Sequence, residues 1–589
     1  MASPNPLLQN IQDGFRYLGS IIDRVLGQNG FFSYTTLLVS VVVLVLTTRF
    51  FTGWTSKSKS ISDGAPQYVP SLPYWVPFLG HLVNLLLSPD SLLKGTRDTS
   101  TRGIFALNLG GSTHNVIFSP SLSHSLLTQK SNVASHEPVA WQILRRTFGM
   151  PLRQKPAYEE LQPELTATIN DHLLRDPYLA EMVNITMGNL RQNIPNLVSF
   201  VDSLVDQLPW ERVSNVTSIQ NESSGQYVEA SLTPLLKNFV AHTANPSLFG
   251  RAFVDNYPQL FDWLWAFDAG FLLLSTGAPR FIPYPGLTRA QIARSRLLDA
   301  MVSFHRALDA YDTGKPAPDS TWSDMSDVSP LVRARSAVYR KYNFPPYSRA
   351  ASDLALLWAM NANANPLIFW LVLRVYQDRD LLSRIQQEVA PYVRATQRPA
   401  TFGIPEPPEV TIDVPGLTSK CPLLKACYIE SLRVDSAPWS LKKVLQDFNL
   451  AESKADAGGS DPVTYRLKKG EYADVAFDLH FTDPKFFPEP LEWKPDRHLK
   501  DLDGEGRYVI PEMGTIRPYG GGRGMCKGRV FAEKECFAYA AAIFVLWEIE
   551  PAGGERELKI PRHGKATAVS YPRDDVRVRL RRREVGAKE

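Results

Sequence analysis

Cysteine is scarce in this chain. Four cysteines occur in 589 residues, none of them in a Cys-x-x-Cys pair, and no His-Glu-x-x-His motif is present. Four cysteines are too few for a scaffold that is held together by disulfide bonds. Without paired cysteine or histidine ligands, a structural zinc site is not expected either. A charge excess of one sign is also missing, because 64 lysines and arginines face 60 acidic residues, giving a net charge of +4. This balance excludes nucleic-acid binding by bulk electrostatic attraction.

One long run lacks charge altogether. Residues 31–48 read FFSYTTLLVSVVVLVLTT, which is 18 residues without a charged side chain. A helix of that length is about 27 Å long, close to the hydrocarbon thickness of a bilayer. A buried core helix and a cleaved signal peptide are the alternatives. Because the run lacks amphipathic spacing, follows a polar leader of 30 residues and is not followed by an Ala-x-Ala site, a transmembrane helix is favoured.

The flanking charges predict the orientation of this helix. The charges before it cancel, whereas Arg49, Lys57 and Lys59 follow it with only Asp63 opposing. The positive-inside rule then places the rest of the chain in the cytosol. Four segments are predicted: a short lumenal leader (1–30), the transmembrane helix (31–48), a basic and proline-rich hinge (49–80) and one large domain (81–589).

The hinge has four prolines between residues 66 and 77, which predict a stiff, non-helical spacer, and helical patterns dominate beyond it. The long helical patterns cover 176–207, 287–311, 351–394 and 527–548, and short strand-like runs fall near 103–118, 463–476 and 576–580. The stretches 396–418 and 452–462 are predicted to be surface loops. No second linker or internal repeat appears. The pattern therefore predicts a single large domain that is mainly α with small β-sheets.

The most informative stretch is a glycine-rich loop around Cys526. It reads RPYGGGRGMCKGR over residues 517–529 and leads into an apolar helical pattern. Glycines allow positive φ and the close approach of a flat partner. At or just before a helix N-terminus, free N–H groups favour the thiolate form of Cys526, which binds soft or borderline metals. A phosphate-binding loop is a weaker alternative because the Gly-Lys-Ser/Thr ending is missing. A buried, inert cysteine is the other alternative.

Two further motifs precede this loop. In PLLKACYIESLRVDS, Glu430 and Arg433 are three residues apart on one predicted helix, so their side chains can pair. The segment HFTDPKFFPEPLEWKPDRHL, residues 480–499, adds Arg497. A carboxylate shared by two guanidinium groups forms charge-assisted bonds that fix loops relative to a helix.

In this order, the two motifs and the cysteine loop resemble the cytochrome P450 superfamily, whose proximal haem ligand is a cysteine thiolate. The family has the Glu-x-x-Arg pair and a segment close to that of residues 480–499. The resemblance implies Cys526 as the metal ligand, haem b as the cofactor, and a structural cluster of Glu430, Arg433 and Arg497. It spans about nine-tenths of the chain and implies a single haem-thiolate domain. In the loop, it implies that the cofactor-binding positions are Tyr519, Gly522, Arg523 and Gly528, with Arg523 one residue earlier than the family's usual arginine.

The predicted helix over 351–375 departs from the acid–threonine pair of most family monooxygenases. Asn363 and Ala364 occupy that place, followed by Asn365 and by Pro366, which is expected to kink the helix. The pattern LLWAMNANANPLIFW resembles the branch that contains prostacyclin synthase and the steroid 7α- and 12α-hydroxylases. The resemblance implies Asn363, Ala364 and Asn365 as catalytic positions, with the amides orienting water. Alternatively, the asparagines only provide hydrogen-bond partners for the backbone groups of a kinked helix.

Trp141 and Arg145 mimic the Trp-x-x-x-Arg pair that binds haem propionates in the family. A substrate-proximal loop and an ordinary packed tryptophan are the alternatives. The aromatic run over 261–277 is compatible both with an apolar substrate entrance and with core packing.

The resemblance implies a monooxygenase of the endoplasmic reticulum membrane that hydroxylates a lipophilic molecule, such as a terpenoid, sterol or polyketide, in secondary metabolism. NADPH would supply the electrons through a separate reductase. Two alternatives stay open. One is an isomerase or dehydratase that acts on a peroxide or oxygenated substrate without a reductase, which the Asn363-Ala364 pair favours. The other is a non-catalytic haem carrier of the membrane. No nucleic-acid partner is expected.

Overall fold

The computed structural model describes residues 34–57, 66–100, 102–221, 225–397, 406–456, 461–501, 508–584 and 586. The predicted lumenal leader and residues 31–33 of the apolar run lie outside the described residues. So do Lys59 and Asp63, on which the predicted orientation partly depends.

Helices make up most of the described chain, as the sequence predicts. In chain order they are α1 (Tyr34–Lys57), α2 (Leu82–Leu87), α3 (Pro89–Thr99), α4 (Pro120–Leu127), α5 (Glu137–Arg146), α6 (Lys155–Leu174), α7 (Tyr178–Asn193), α8 (Pro209–Arg212), α9 (Leu232–Ala244), α10 (Pro246–Phe249), α11 (Arg251–Asp255), α12 (Leu260–Ala269), α13 (Phe271–Ser275), α14 (Pro285–Asp312), α15 (Pro330–Lys341), α16 (Pro346–Asn361), α17 (Ala364–Gln377), α18 (Arg379–Val389), α19 (Val414–Lys420), α20 (Pro422–Val434), α21 (Phe477–Phe481) and α22 (Arg529–Leu546).

The strands are short. In chain order they are β1 (Gln67–Tyr68), β2 (Ile104–Leu109), β3 (Ser112–Ile117), β4 (Ala134–Ser135), β5 (Thr217–Asn221), β6 (Gly225–Ser231), β7 (Val393–Thr396), β8 (Glu409–Ile412), β9 (Trp439–Val444), β10 (Phe448–Ala451), β11 (Thr464–Leu467), β12 (Tyr472–Ala476), β13 (Trp547–Pro551), β14 (His563–Ala566), β15 (Ser570–Pro572) and β16 (Arg577–Arg582). Many helices with small sheets confirm the predicted fold class.

The described residues divide into two compact units, one within 1–122 and 444–473 and the other within 123–443 and 474–589. In the first unit, β2 and β3 form an antiparallel hairpin, and β11 pairs with β1 in parallel and with β10 in antiparallel fashion. The proline-rich part of the hinge is extended and is bonded on both sides. Ala106 of β2 donates to the Pro70 carbonyl at 2.7 Å, and the Thr52 hydroxyl of α1 donates to the Tyr74 carbonyl at 3.2 Å.

In the part of the chain that the structure describes, two apolar stretches are long enough to cross a membrane. The stretch Leu37–Trp54 of α1 has no part buried in the protein, whereas Pro346–Gln377, which spans α16 and α17, is mostly buried. The second stretch is therefore part of the core, so that among the described residues only the first is a candidate membrane anchor.

The second unit is built around α16, α17 and α22. Helix α17 packs against α9, α20 and α22, while α16 packs against α14, and the residues at these contacts are almost wholly buried. Antiparallel sheets flank the helices, with strand order β13-β16-β6-β5 in the largest and with two-stranded hairpins β14-β15 and β7-β8. This core positions the cysteine loop, which directly precedes α22.

The helical pattern predicted over 351–394 is divided among three helices, α16, α17 and α18. Helix α16 ends at Asn361, Asn363 has non-helical backbone angles, and a new helix, α17, begins at Ala364. Pro366 therefore lies in the first turn of a new helix, where its missing N–H has no partner to lose. The helix predicted over 176–207 likewise ends at Asn193, and the loop predicted over 396–418 contains β8 and most of α19.

Candidate active site

Cys526 lies at the end of a tight loop just before α22. Its backbone N–H donates to the carbonyl of Tyr519 at 2.9 Å, which closes the loop. Cys526 is exposed, whereas the other three cysteines, Cys421, Cys427 and Cys536, are buried. The loop thus presents one accessible thiol, two residues before the N-cap of a long helix.

Two opposing effects act on this thiol. Surrounding protein disfavours the charged form and raises the pKa of Cys526, whereas the backbone N–H groups of Gly528 and Arg529 lower it. The partial desolvation of the sulfur by surrounding protein has the larger effect, so the pKa of Cys526 is raised overall. The two amides are nevertheless placed to stabilise negative charge on sulfur, which is the donor chemistry that a thiolate-bound iron requires.

The glycines of the loop are required by close packing on α4. A Cβ atom on Gly522, where φ is +60°, would lie 2.2 Å from the carbonyl oxygen of Leu127, and one on Gly521 would lie 2.8 Å from the Leu127 side chain. Any larger residue would push α4 away. The loop is therefore packed closely on α4, and this glycine-rich segment with its accessible thiol fits a planar, thiolate-bound cofactor.

Two basic side chains that sequence reasoning missed lie beside this loop. His136, the N-cap of α5, is the side chain nearest to Gly524. The buried Lys442 ammonium donates to the carbonyls of Leu126 and Leu127, at 3.0 and 3.3 Å. Burial lowers the pKa of both groups, and for His136 the neighbouring positive charge of Lys442 adds to that effect. Neither residue belongs to a sequence motif, so no local signal could have indicated it.

The other predicted cofactor-binding residues have different surroundings. Trp141 is buried and packs against the ring of Tyr158, with centroids 5.7 Å apart, and Arg145 is partly exposed further along α5. Arg523 is exposed, and its carbonyl accepts a hydrogen bond from Lys527 at 3.3 Å. Gly528 is the N-cap of α22. The Tyr519 hydroxyl is hydrogen-bonded to that of Tyr428 in α20, which ties the loop to the helix that carries Glu430.

The structure brings Glu430, Arg433 and Arg497 together. One carboxylate oxygen of Glu430 accepts from Arg433 at 2.7 Å, from Arg497 at 2.9 Å and from the backbone N–H of Lys494 at 2.9 Å. The other oxygen accepts from Arg433 at 2.9 Å and from His498 at 2.8 Å. Although burial opposes the charged form, these donors hold the pKa of Glu430 at about 2. His498 is a member of the cluster that the sequence did not reveal.

The amides at the helix break hold neighbouring elements in place. The Asn363 side-chain oxygen accepts from the backbone N–H of Val569, in the turn between β14 and β15, at 3.0 Å. The Asn365 amide donates to the backbone carbonyl of Lys237 in α9, also at 3.0 Å. The Asn365 side-chain oxygen is buried and has no hydrogen-bond partner within the described part of the chain. Ala364, which lies between Asn363 and Asn365 in the sequence, contributes no polar side-chain group.

Aromatic rings cover α16 on the side before the break. Phe271 stacks on Trp358 with centroids 4.2 Å apart, and Phe148 contacts both rings and Phe267. Phe271 of the aromatic run over 261–277 thus packs directly on α16, and Phe267 joins the same cluster through Phe148.

A mainly helical fold with an accessible thiol at a glycine-rich loop before a core helix, and a buried Glu–Arg cluster behind it, is typical of the haem-thiolate proteins. The comparisons agree with this class. The family model "Cytochrome P450" matches residues 356–575. The chain resembles the cytochrome P450 proteins, and the comparisons support an oxidoreductase of the monooxygenase type. This resemblance implies a haem with a thiolate ligand and electrons from a redox partner.

Individual relatives are distant. The chain is 24% identical to cytochrome P450 monooxygenase efuG of Hormonema carpetanum, over 90% of this chain and 92% of the relative. It is 25% identical to cytochrome P450 7A1 of Rattus norvegicus, over 64% of this chain and 71% of the relative. The solved structure of retinoic acid bound cyanobacterial CYP120A1 matches the fold with a TM-score of 0.55 at 19% identity, over 88% of this chain and 100% of that structure.

Proposed function

We propose that the protein is a membrane-anchored monooxygenase that hydroxylates a lipophilic small molecule, such as a terpenoid, sterol or polyketide, in secondary metabolism. The observation that carries the proposal is the single accessible thiol of Cys526, held against the start of α22 by a glycine-rich loop. The similarity to a fungal monooxygenase over nine-tenths of the chain supports the reaction type.

Cys526 is the proposed metal ligand, and the amides of Gly528 and Arg529 are its electrostatic support. When bound, haem supplies the oxygen-activating chemistry of the reaction. The loop residues Tyr519, Gly522, Arg523 and Gly528 are proposed to hold it. Trp141 and Arg145 are proposed to bind its propionate groups, and His136 and Lys442, which lie beside the same loop, are proposed as further basic side chains near them. Glu430, Arg433 and Arg497 are proposed to fix the segment that leads into the loop.

Asn363, Ala364 and Asn365 are proposed to shape the distal side of the site. Two of their side-chain groups bind Val569 and the Lys237 carbonyl, so they position the β14-β15 hairpin and α9 at the break. Because an amide does not ionise, the protons that dioxygen cleavage consumes reach the site through water rather than from an acidic side chain at these positions.

We propose that electrons come from NADPH through a separate reductase in the endoplasmic reticulum membrane. With purified protein under carbon monoxide, NADPH plus a microsomal reductase should produce the thiolate-type band, and NADPH alone should not. With isotopically labelled dioxygen, each product molecule from a panel of terpenoids, sterols and polyketides should carry a single labelled oxygen atom. Product formation without NADPH and reductase would instead identify an isomerase or dehydratase.

We propose α1 as the only integral membrane anchor within the described residues. Its apolar side chains face outward, with Leu38 65% exposed and Phe50 69% exposed, which is unfavourable in water. Deleting residues 1–57 should therefore move the protein from the carbonate-washed membrane pellet to the supernatant, as measured by immunoblotting of both fractions. Fusing the truncated chain to an unrelated transmembrane helix should return it to the pellet. A truncated chain that resists the carbonate wash would refute this assignment.

A further inference from the structure

The ammonium group of Lys237 lies over two aromatic rings. Its nitrogen is 3.9 Å from the ring centroid of Trp265 and 4.4 Å from that of Tyr571. Within the described residues it makes no hydrogen bond and has no carboxylate oxygen within ion-pair distance. The Trp265 N–H donates to the Asn238 side chain at 2.9 Å, which fixes the indole beneath the ammonium. Cation–π contacts stabilise the charge, but within the described residues they give the N–H donors of Lys237 no oxygen or nitrogen acceptor.

The nearby carboxyl group of Asp268 balances this charge. It accepts a hydrogen bond from the Trp358 N–H at 2.7 Å, and the Tyr571 hydroxyl lies beside it. Burial lowers the pKa of Lys237 to about 8, against which the attraction of Asp268 acts. Burial raises the pKa of Asp268, and the positive charge of Lys237 opposes that shift. The pair therefore places one positive and one negative charge in a region of low polarity, without direct contact between them.

This group of side chains lies at the break in the core helix. Lys237 is bonded to Asn365 through its backbone carbonyl, Tyr571 belongs to the hairpin that Asn363 holds, and Trp358 lies in the last turns of α16. All four side chains, Lys237, Asp268, Trp358 and Tyr571, remain partly exposed even though apolar rings surround them. The Lys237 side chain therefore keeps some surface that a ligand at the break can contact.

We propose that Lys237 binds a neutral oxygen, a ketone or a hydroxyl, on the otherwise apolar substrate. The inference rests on the proposed function and narrows its substrate class. An ammonium group needs acceptors, and the aromatic rings and Asp268 leave it none at hydrogen-bonding distance. A substrate carboxylate is disfavoured, because together with Asp268 it would give the site two negative charges and one positive charge in apolar surroundings. The substrate thus enters with one oxygen function already present, supplied by an earlier oxidation or cyclisation.

Equilibrium dialysis of haem-loaded, full-length protein with four radiolabelled probes tests this assignment. The probes are cholestenone, cholesterol, the hydrocarbon cholestane and a cholestane carboxylate. The wild type should bind cholestenone and cholesterol about 10-fold more tightly than cholestane, the size of one hydrogen bond to a charged group. Lys237→Met should reduce that preference to less than about 2-fold with cholestane binding unchanged. The exposed Lys559→Met variant is the matched control and should keep the preference.

A second variant tests the role of Asp268. Asp268→Asn keeps an acceptor for Trp358 but removes the negative charge, so affinity for the carboxylate probe should rise about 10-fold. The proposal is overturned if cholestane binds as tightly as cholestenone, if no oxygenated probe binds, if Lys237→Met keeps the preference, or if the wild type prefers the carboxylate. Dialysis needs neither reductase nor turnover. A protein with a normal thiolate-type band that lacks the preference therefore contradicts this inference alone, whereas loss of the band contradicts the proposed function.

Discussion

Replacing Cys526 with serine is expected to abolish the thiolate-type carbon monoxide band and to lower hydroxylation by more than about 1,000-fold. A serine hydroxyl is nearly the same size as the thiol, but it does not ionise near neutral pH and is a harder donor than sulfur. The amides of Gly528 and Arg529 would remain in place without a negative charge to stabilise. Reduced-carbon monoxide spectra and product formation with reductase measure the two effects.

Cys421→Ser provides a matched control for this variant. Cys421 is also a free cysteine, but it is buried at the start of α20, where its thiol lies 3.8 Å from the Glu388 carbonyl. The Cys421→Ser protein should keep the thiolate-type band. If Cys526→Ser also keeps the band, Cys526 is not the ligand, and if both variants lose it, the loss is not specific to Cys526.

The cysteine loop could be predicted from sequence because its chemistry is local. Gly522, Gly528 and Cys526 lie within seven residues, and glycine spacing before an apolar helix already indicates a tight turn at a helix N-terminus. The Glu430–Arg433 pair is predictable for the same reason, since residues three apart share a helix face.

The remaining neighbours of the loop could not be predicted in this way. Lys442 reaches the carbonyls of Leu126 and Leu127 across more than 300 residues of sequence, and His136 meets Gly524 across a similar separation. Such contacts depend on how the helices pack, and no periodicity or motif encodes that. The Lys237 and Asp268 pair is hidden for the same reason, because one side chain comes from α9 and the other from α12.

The sequence predicts a kink in the core helix, but not the position at which the helix is interrupted. Pro366 was expected to kink a continuous helix, yet the chain leaves helical geometry three residues earlier, at Asn363. The buried Asn361 amide exchanges two hydrogen bonds with Asn245, both at 2.9 Å, and this pairing holds the end of α16 against the end of α9. These tertiary hydrogen bonds cannot be inferred from a single sequence. They lie before Pro366 in the chain, next to the point where the helix is interrupted.

Glu430→Gln is expected to destabilise the protein by about 3–5 kcal/mol, because it leaves guanidinium charge without its counter-ion. Arg433 is fully buried, and Arg497 is largely buried. Both arginines also donate to backbone carbonyls, among them those of Phe481, Pro490 and Glu492, so the whole segment before the cysteine loop depends on their position. The urea midpoint at pH 7 and the haem content of purified protein measure the loss.

The exposed Glu492→Gln variant is the matched control, since a surface pair with Lys494 contributes less than about 1 kcal/mol.

The pH dependence has a definite sign. The pKa of Glu430 is about 2 in the folded protein against an ordinary 4.5, so its charge stabilises the fold above about pH 5 and this contribution is lost as the pH falls. Glutamine does not titrate, so the difference in urea midpoint between wild type and Glu430→Gln should be largest at pH 7 and smaller at pH 4. A difference that stays constant with pH, or one no larger than that of Glu492→Gln, would show that the Glu430 charge does not hold this segment.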